Sequence, residues 1–289
     1  MPLPLVWLDG GLLPLAEARI SPLDRGFLFG DGAYEVLPVY AGRAYRFEAH
    51  MARLDRSLAA IRMAPPLDRA GWLRAFGTLV HGNGGGDLLL YVQVTRGVEP
   101  ERNHVPQAAT RPTVFACVQV LPAIPAAAIE KGVACVTAED IRWSRCDIKS
   151  TSLLGNVLLR WLAADAGAAE TILFRGGMLT EGSASSAHLV KDGRILTPPQ
   201  TNAILPGTTR GVIFELAARE GVGSERRPVT EAEVRGADEL LIASAGGGIR
   251  AVSALDGRPV GNGMPGPVYR RIYAAFKRTL REYSTELPA

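Results

Sequence analysis

The segment Leu121-Pro122-Ala123-Ile124-Pro125 constrains this 289-residue chain more than any other. Proline has no N–H and a fixed φ, so two of them within four residues continue neither a helix nor a strand. The chain is thereby parted into residues 1–120 and 126–289, each of domain size, with 121–125 as a linker. Ahead of the break, Val36–Tyr40 and Ala44–Phe47 read as a hairpin around Ala41-Gly42-Arg43. Met51, Leu54, Leu58 and Ile61 fall at helical spacing, predicting a helix over 48–63 that ends at Pro65-Pro66. A second helix is expected over 69–80, then strands over 88–96 and 112–121. Beyond the break, strands are expected over 133–138, 171–175 and 239–243, and helices over 150–166, 208–220 and 266–283. Ser150 and Thr151 are expected to cap the 150–166 helix, with Leu154, Val157, Leu158, Trp161 and Leu162 as its packing face. Thr230-Glu-Ala-Glu233 spells a capping box. Without a regular strand–helix alternation, the pattern predicts an α+β fold of two domains.

Charge and cysteine usage exclude several function classes. With 32 basic and 29 acidic residues and no charge runs, the net +3 is too weak to suggest nucleic acid or a membrane surface as a partner. Cys117, Cys135 and Cys146 form no C-x-x-C pair, and His50, His81, His104 and His188 are far apart, so no metal site is expected. A buried or capping role is the default for each histidine. The N-terminus has no basic region and Asp9 breaks its apolar run, and no uncharged stretch reaches a membrane span. These features lead us to expect a soluble cytoplasmic protein.

Five clusters can carry chemistry. Asp24-Arg-Gly-Phe-Leu-Phe-Gly-Asp-Gly-Ala-Tyr34-Glu35 places three glycines before a strand, suiting either a close backbone approach or a tight loop. Lys149, one of only four lysines, precedes a predicted helix start, with Arg142 and Arg145 upstream. Nearby cations and a positive helix end favour a neutral amine, the condition for a nucleophilic or Schiff-base lysine; a solvated lysine is the alternative. In Thr180-Glu181-Gly-Ser, the carboxylate can pair with a protonated ring nitrogen or merely decorate a loop. Pro206-Gly-Thr208-Thr209-Arg210 opens a helix whose free N–H groups suit a phosphate, though any capped helix start reads alike. Arg102-Asn-His104 can clamp a carboxylate or lie solvated in a loop. A Schiff-base lysine, a carboxylate for a ring nitrogen, a phosphate-binding helix start and the aromatic hydroxyl of Tyr34 together point to pyridoxal 5'-phosphate.

In their order along the chain these clusters resemble the fold-type IV pyridoxal-phosphate enzymes, from Trp7 to about residue 276. Among these the D-amino acid aminotransferases are nearest. The resemblance rests on Asp24-Arg-Gly-x-x-Phe-Gly-Asp-Gly-x-Tyr-Glu35, Val92-Gln-Val-Thr-Arg-Gly97, Glu139-Asp-Ile-Arg-Trp-x-Arg-Cys-Asp-Ile-Lys-Ser150 and Thr180-Glu-Gly-Ser183. It implies that Lys149 forms the Schiff base and shuttles the proton at the substrate's α-carbon. Glu181 would pair with the pyridine nitrogen and Arg142 would lie near the Schiff base. Arg53, Thr208 and Thr209 would hold the phosphate, with Ser244 and Gly246 in the Ser244-Ala-Gly-Gly-Gly248 run also on the cofactor. Tyr34, Arg102 and His104 would contact substrate, the last two as the α-carboxylate pair. The resemblance further implies that 126–289 is the cofactor-binding domain, and that the Arg102 loop serves the neighbouring subunit of a homodimer. The chain departs from the pattern in three places. Arg102 comes one residue late after Gly97, the 244–248 run is glycine-rich rather than hydroxyl-rich, and Ser183-Ala-Ser-Ser-Ala-His188 lacks the asparagine usual in that strand. The function implied is transfer of the amino group of a D-amino acid such as D-alanine to a 2-oxo acid such as 2-oxoglutarate. The alternatives are branched-chain L-amino acid or (R)-amine transamination or aminodeoxychorismate lyase chemistry on the same fold, or a non-catalytic ligand-binding protein.

Overall fold

The computed structural model describes residues 1–107 and 110–288. Its contacts group into two compact units: Met1–Pro122 with Ile148–Ser152 and Leu280–Ala289, and Ala123–Asp147 with Leu153–Thr279. Two segments that lie beyond residue 125 in sequence therefore belong with the first unit, and one of them carries Lys149.

The first unit contains β1 (Pro2–Leu8), β2 (Gly11–Pro14), α1 (Arg25–Phe29), β3 (Gly32–Tyr40), β4 (Arg43–Tyr45), α2 (Phe47–Ala60), α3 (Arg69–Gly82), β5 (Leu88–Thr95) and β6 (Thr113–Val120). With the C-terminal strand Ser284–Glu286 they form a seven-stranded antiparallel sheet, in the order C-terminal strand, β4, β3, β5, β6, β1, β2. Strand alternation sends Leu88, Leu90, Val92 and Val94 of β5 to one face, where they meet Met51, Leu54 and Leu58 of α2 and Trp72, Phe76 and Leu79 of α3 in one core. Each such buried side chain contributes about 1.5–3 kcal/mol by leaving water. Along β3, Ala33, Glu35, Leu37 and Val39 share that face, while Tyr34 lies on the opposite one. α2 is shorter than its spacing predicts. It stops at Ala60, because Arg62 turns to φ 59° and the chain leaves the helix before the prolines are reached.

The second unit contains α4 (Ala126–Glu130), β7 (Val133–Glu139), α5 (Leu154–Asp165), β8 (Glu170–Arg175), β9 (Met178–Gly182), β10 (Ser186–Lys191), β11 (Arg194–Thr197), α6 (Thr208–Arg219), β12 (Ser224–Arg226), α7 (Glu231–Arg235), β13 (Glu239–Ser244), β14 (Gly248–Leu255), β15 (Arg258–Pro259) and α8 (Pro267–Glu282). Its mixed sheet runs β12-β11-β10-β13-β14-β7-β8-β9, with β15 on β14; the β11/β12, β14/β7 and β7/β8 pairs are parallel. The capping box at Thr230 and Glu233 is present as the sequence predicts. α5 differs from its prediction in two ways. It starts at Leu154 behind Leu153, without a side-chain cap, because the Thr151 and Ser152 hydroxyls donate to the Gly30 carbonyl instead. The helix also packs through Leu159 and Ala163, leaving Leu154 72% and Trp161 64% exposed, with Val157, Leu158 and Leu162 also exposed. Both stripes are apolar, so periodicity alone chose the wrong one. Among the described residues no helix is long and apolar enough to cross a membrane.

Candidate active site

Lys149 is fixed by its backbone before its side chain is considered. The Tyr34 N–H donates to the Lys149 carbonyl (3.0 Å), the Lys149 N–H donates to Ser57 Oγ on α2 (3.1 Å), and the Thr151 N–H donates to the Gly32 carbonyl (3.1 Å). The segment therefore runs along the start of β3 as an added antiparallel bridge, Ala33 opposite Ser150. Gly30, at φ 66°, makes that approach possible, since a Cβ there would sit 2.4 Å from Ser152 Oγ. The half-buried Lys149 places Nζ 4.1 Å from the centre of the Tyr34 ring, which stacks on Tyr91 at 5.5 Å. The Tyr91 hydroxyl donates to Gln93 Oε1 at 2.6 Å, and burial pushes its pKa up. An amine held over an aromatic face can exchange a proton with a ligand on that side of the sheet.

The buried face of β3 carries a charged cluster. Glu35 is fully buried and accepts from Arg53 through Nε on Oε1 (2.7 Å) and Nη2 on Oε2 (2.8 Å), while His50 Nδ1 lies 2.7 Å from the same Oε2. Burial works to raise the Glu35 pKa, but Arg53 overcomes it and holds the carboxyl well below the usual range. Burial pushes the His50 pKa down, against Glu35 and with Arg53 and Lys149. Arg53 is thus held in a bidentate pair, a partnership that the motif reading missed. The alternation of β3 reveals it, since a carboxylate on an apolar strand face needs a cation opposite, and Arg53 lies one turn from His50 on α2.

In the second unit, Arg142 joins two carboxylates. It donates to Asp140 through Nε and Nη2 (2.9 Å each) and to Glu181 Oε1 through Nη1 (2.6 Å). The Leu205 N–H reaches both Glu181 oxygens at 3.1 Å. Burial raises the Glu181 pKa despite Arg142, whose own pKa is raised by the two carboxylates against burial. Thr180 and Arg175 also bind Asp140. Neither Arg142 nor Arg145 is the free cation that the sequence pattern suggested, because Arg145 pairs with Asp147 at 2.9 Å.

α6 begins behind Gly207, which offers no side chain to cap it, so its first-turn N–H groups lack an internal acceptor. Thr208 and Thr209 stand at that start. The β13–β14 turn carries Ser244, whose hydroxyl accepts from the Gly247 N–H (3.1 Å), and Gly246 lies within it. His188 on β10 is fully buried, with Nε2 3.1 Å from Ser186 Oγ and Nδ1 without a partner. Burial, then Arg210, lower its pKa to about 3.

Arg102 and His104 are exposed in the first unit, and both lie against Phe29 of α1. The structure thus groups Lys149 with Tyr34, Arg53 with Glu35 and His50, Arg142 with Glu181, and Arg102 with His104. The first unit thus supplies an amine, and the second a buried carboxylate and an uncapped helix start flanked by hydroxyls, each a kind of group that a phosphate-bearing pyridine aldehyde uses.

Residues 32–255 match the family model "Amino-transferase class IV". The D-alanine aminotransferase of Bacillus licheniformis is 37% identical over 275 residues, 95% of this chain and 96% of that one. The D-alanine aminotransferase of Staphylococcus aureus strain MSSA476 is 38% identical over 280 residues, 96% and 99% of the two chains. Among solved structures, the branched-chain amino acid aminotransferase of Escherichia coli superposes with a TM-score of 0.93 at 23% identity, covering 99% of this chain and 100% of that one. A hypothetical aminotransferase from Mycobacterium tuberculosis in its PLP-bound form gives 0.82 at 26%, covering 96% and 99%. By the match over residues 32–255 and by its near full-length similarity to these relatives, the chain belongs to the class IV aminotransferase family.

Proposed function

We propose that this enzyme moves the amino group of a D-amino acid, D-alanine among them, to a 2-oxo acid such as 2-oxoglutarate. The observation that carries the reading is the near full-length identity with two D-alanine aminotransferases, within which Lys149 sits 4.1 Å over Tyr34. When bound, pyridoxal phosphate supplies an electron-withdrawing ring that stabilises the electron pair left at the substrate's α-carbon. The chain's own residues do the rest. Lys149 Nζ would take the proton from the substrate α-carbon and deliver it to the aldehyde carbon of the bound group, and the Tyr34 ring would hold that amine in place. Glu181 meets the protonated ring nitrogen. A buried carboxylate with a raised pKa gains from such a partner, and Arg142 with the Leu205 amide keeps it aimed. Arg53, Thr208, Thr209 and the N–H groups of α6 hold the phosphate, with Ser244 and Gly246 alongside. Arg102 and His104 bind the substrate α-carboxylate, and Tyr34 lines its path.

The same reading makes the enzyme a homodimer in which Arg102 and His104 serve the neighbouring site. Their exposure on this chain supports it, as does the apolar stripe of α5. That stripe leaves Leu154, Val157, Leu158, Trp161 and Leu162 exposed together, the kind of apolar patch that marks an interaction surface. A cytoplasmic location goes with this role. The experiment is a coupled assay: D-alanine with 2-oxoglutarate should yield pyruvate, and L-leucine with 2-oxoglutarate should yield far less 2-oxo acid. The reverse preference overturns the proposal.

A further inference from the structure

The Asp24–Phe29 cluster takes no part in the chemistry above, yet it is densely bonded. Asp24, 1% exposed, accepts from the Gly26 N–H (2.7 Å), Thr95 Oγ1 (2.9 Å) and Thr113 Oγ1 (2.7 Å), which fixes α1 to the ends of β5 and β6. Arg25, 3% exposed, then spreads one guanidinium over four acceptors. Its Nε donates to Asp31 (2.9 Å), Nη1 to Glu99 (3.0 Å) and to the Asn103 carbonyl, and Nη2 to the His104 carbonyl (3.1 Å). Those two carbonyls belong to the backbone that carries the Arg102 and His104 side chains.

The loop is braced at its base as well. Glu99, 3% exposed, accepts from the Thr110 hydroxyl (2.6 Å) and the Gln107 N–H (2.7 Å) in addition to Arg25, joining the two sides of the loop. Thr110 first, then Gln107 and Arg25, hold its carboxyl below the usual range. Asp31 also takes Arg96, which stands just ahead of the loop, at 2.7 and 3.0 Å. Finally, Phe29 carries the Arg102 guanidinium 4.8 Å from its ring centre and the His104 ring at 5.4 Å. An exposed arginine otherwise samples many rotamers, and seating it on an aromatic ring removes much of that freedom before a ligand arrives.

We propose that Arg25, Phe29 and Glu99 are positioning residues for α-carboxylate recognition, fixing the loop so that Arg102 and His104 meet the substrate pre-aimed. The inference rests on the reading of Arg102 and His104 as the carboxylate pair. It also gives the late position of Arg102 a structural setting, because Glu99 ties down the longer approach from Gly97.

The test uses the cofactor-loaded enzyme and variants Glu99→Gln, Phe29→Leu, Phe29→Tyr and Arg102→Ala. The readouts are KM and kcat for D-alanine, the inhibition constant of propionate, which has the carboxylate but no amino group, cofactor content and Tm. Glu99→Gln and Phe29→Leu should raise KM and the propionate constant together by about five- to tenfold, with kcat within about twofold and cofactor content unchanged, the signature of lost binding. Phe29→Tyr, which keeps the ring, should restore both. If Arg102→Ala weakens propionate but Glu99→Gln and Phe29→Leu do not, the carboxylate reading stands and the positioning proposal falls. If Arg102→Ala leaves propionate binding unchanged, both fall. A fall in Tm or cofactor content that parallels the KM change, or Phe29→Tyr behaving as Leu, makes the role merely structural and also overturns it.

Discussion

Replacing His188 with Asn should flatten the acid side of the stability profile. In the native enzyme the imidazole is fully buried beside Arg210 and Phe214, its Nδ1 has no partner, and its pKa is lowered from 6.5 to about 3 by burial and then by Arg210. In the unfolded chain it takes up a proton near pH 6.5. A folded pKa below the unfolded one means that the contribution is complete above pH 6.5 and is lost as pH falls toward 3. Within that window the unfolded state holds one more proton at this site, and each pH unit costs about 1.4 kcal/mol. At pH 5 the loss comes to about 2 kcal/mol, a sizeable share of the ~5–15 kcal/mol that stabilises a typical native protein. Urea unfolding followed by circular dichroism at pH 8, 7, 6 and 5 measures it, for the native enzyme and for His188→Asn. Other titrating groups, His50 and Glu35 among them, are common to both proteins and cancel in the difference. The difference should shrink in the native enzyme's disfavour by about 2 kcal/mol between pH 8 and 5. Parallel profiles would refute the assignment of a buried neutral imidazole, whatever constant offset the substitution adds.

Three further outcomes follow from the same physics. Glu35→Ala should destabilise the fold by about 3–5 kcal/mol, because it removes the carboxylate from a buried ion pair with Arg53, and a thermal melt reads the effect. Gly77→Ala places a Cβ 1.9 Å from the Pro288 carbonyl oxygen, so the C-terminal strand must shift. The expected cost is about 1–3 kcal/mol, with faster proteolysis near residue 287, where His81 now contacts the Leu287 carbonyl. Lys149→Ala should lower turnover by at least about a hundredfold while leaving the unfolding midpoint nearly unchanged, since the side chain is half-buried and contributes a proton rather than packing.

Much of this enzyme is legible in the sequence, and the parts that are not fail for definable reasons. The helices over 69–82 and 208–219 and the capping box at Thr230 follow from spacing and turn chemistry, because their buried stripes are the only apolar ones they have. α5 has two apolar stripes, and periodicity cannot tell which faces the sheet and which faces outward. Strands β9 and β10 escaped because both of their faces are largely covered, so Thr180, Glu181, Ser186 and His188 are buried without alternation and their composition reads as loop. The site residues stand out as motifs, but their partners do not. Glu35 under Arg53 and Arg25 under the Arg102 loop are recovered only when segments separated in the chain are brought together. In each case the unseen partner is a buried opposite charge or a backbone carbonyl, which local pattern does not encode.

The central claim is D-amino acid transamination through Lys149, and one spectroscopic titration addresses it most directly. The purified enzyme, loaded with pyridoxal phosphate, is followed in the visible range while D-alanine and, separately, L-leucine are added without any 2-oxo acid. A visible band that bleaches with D-alanine, stays with L-leucine, and returns when 2-oxoglutarate is added is the predicted result. Bleaching by L-leucine alone, or a protein that acquires no visible band with pyridoxal phosphate, would contradict it.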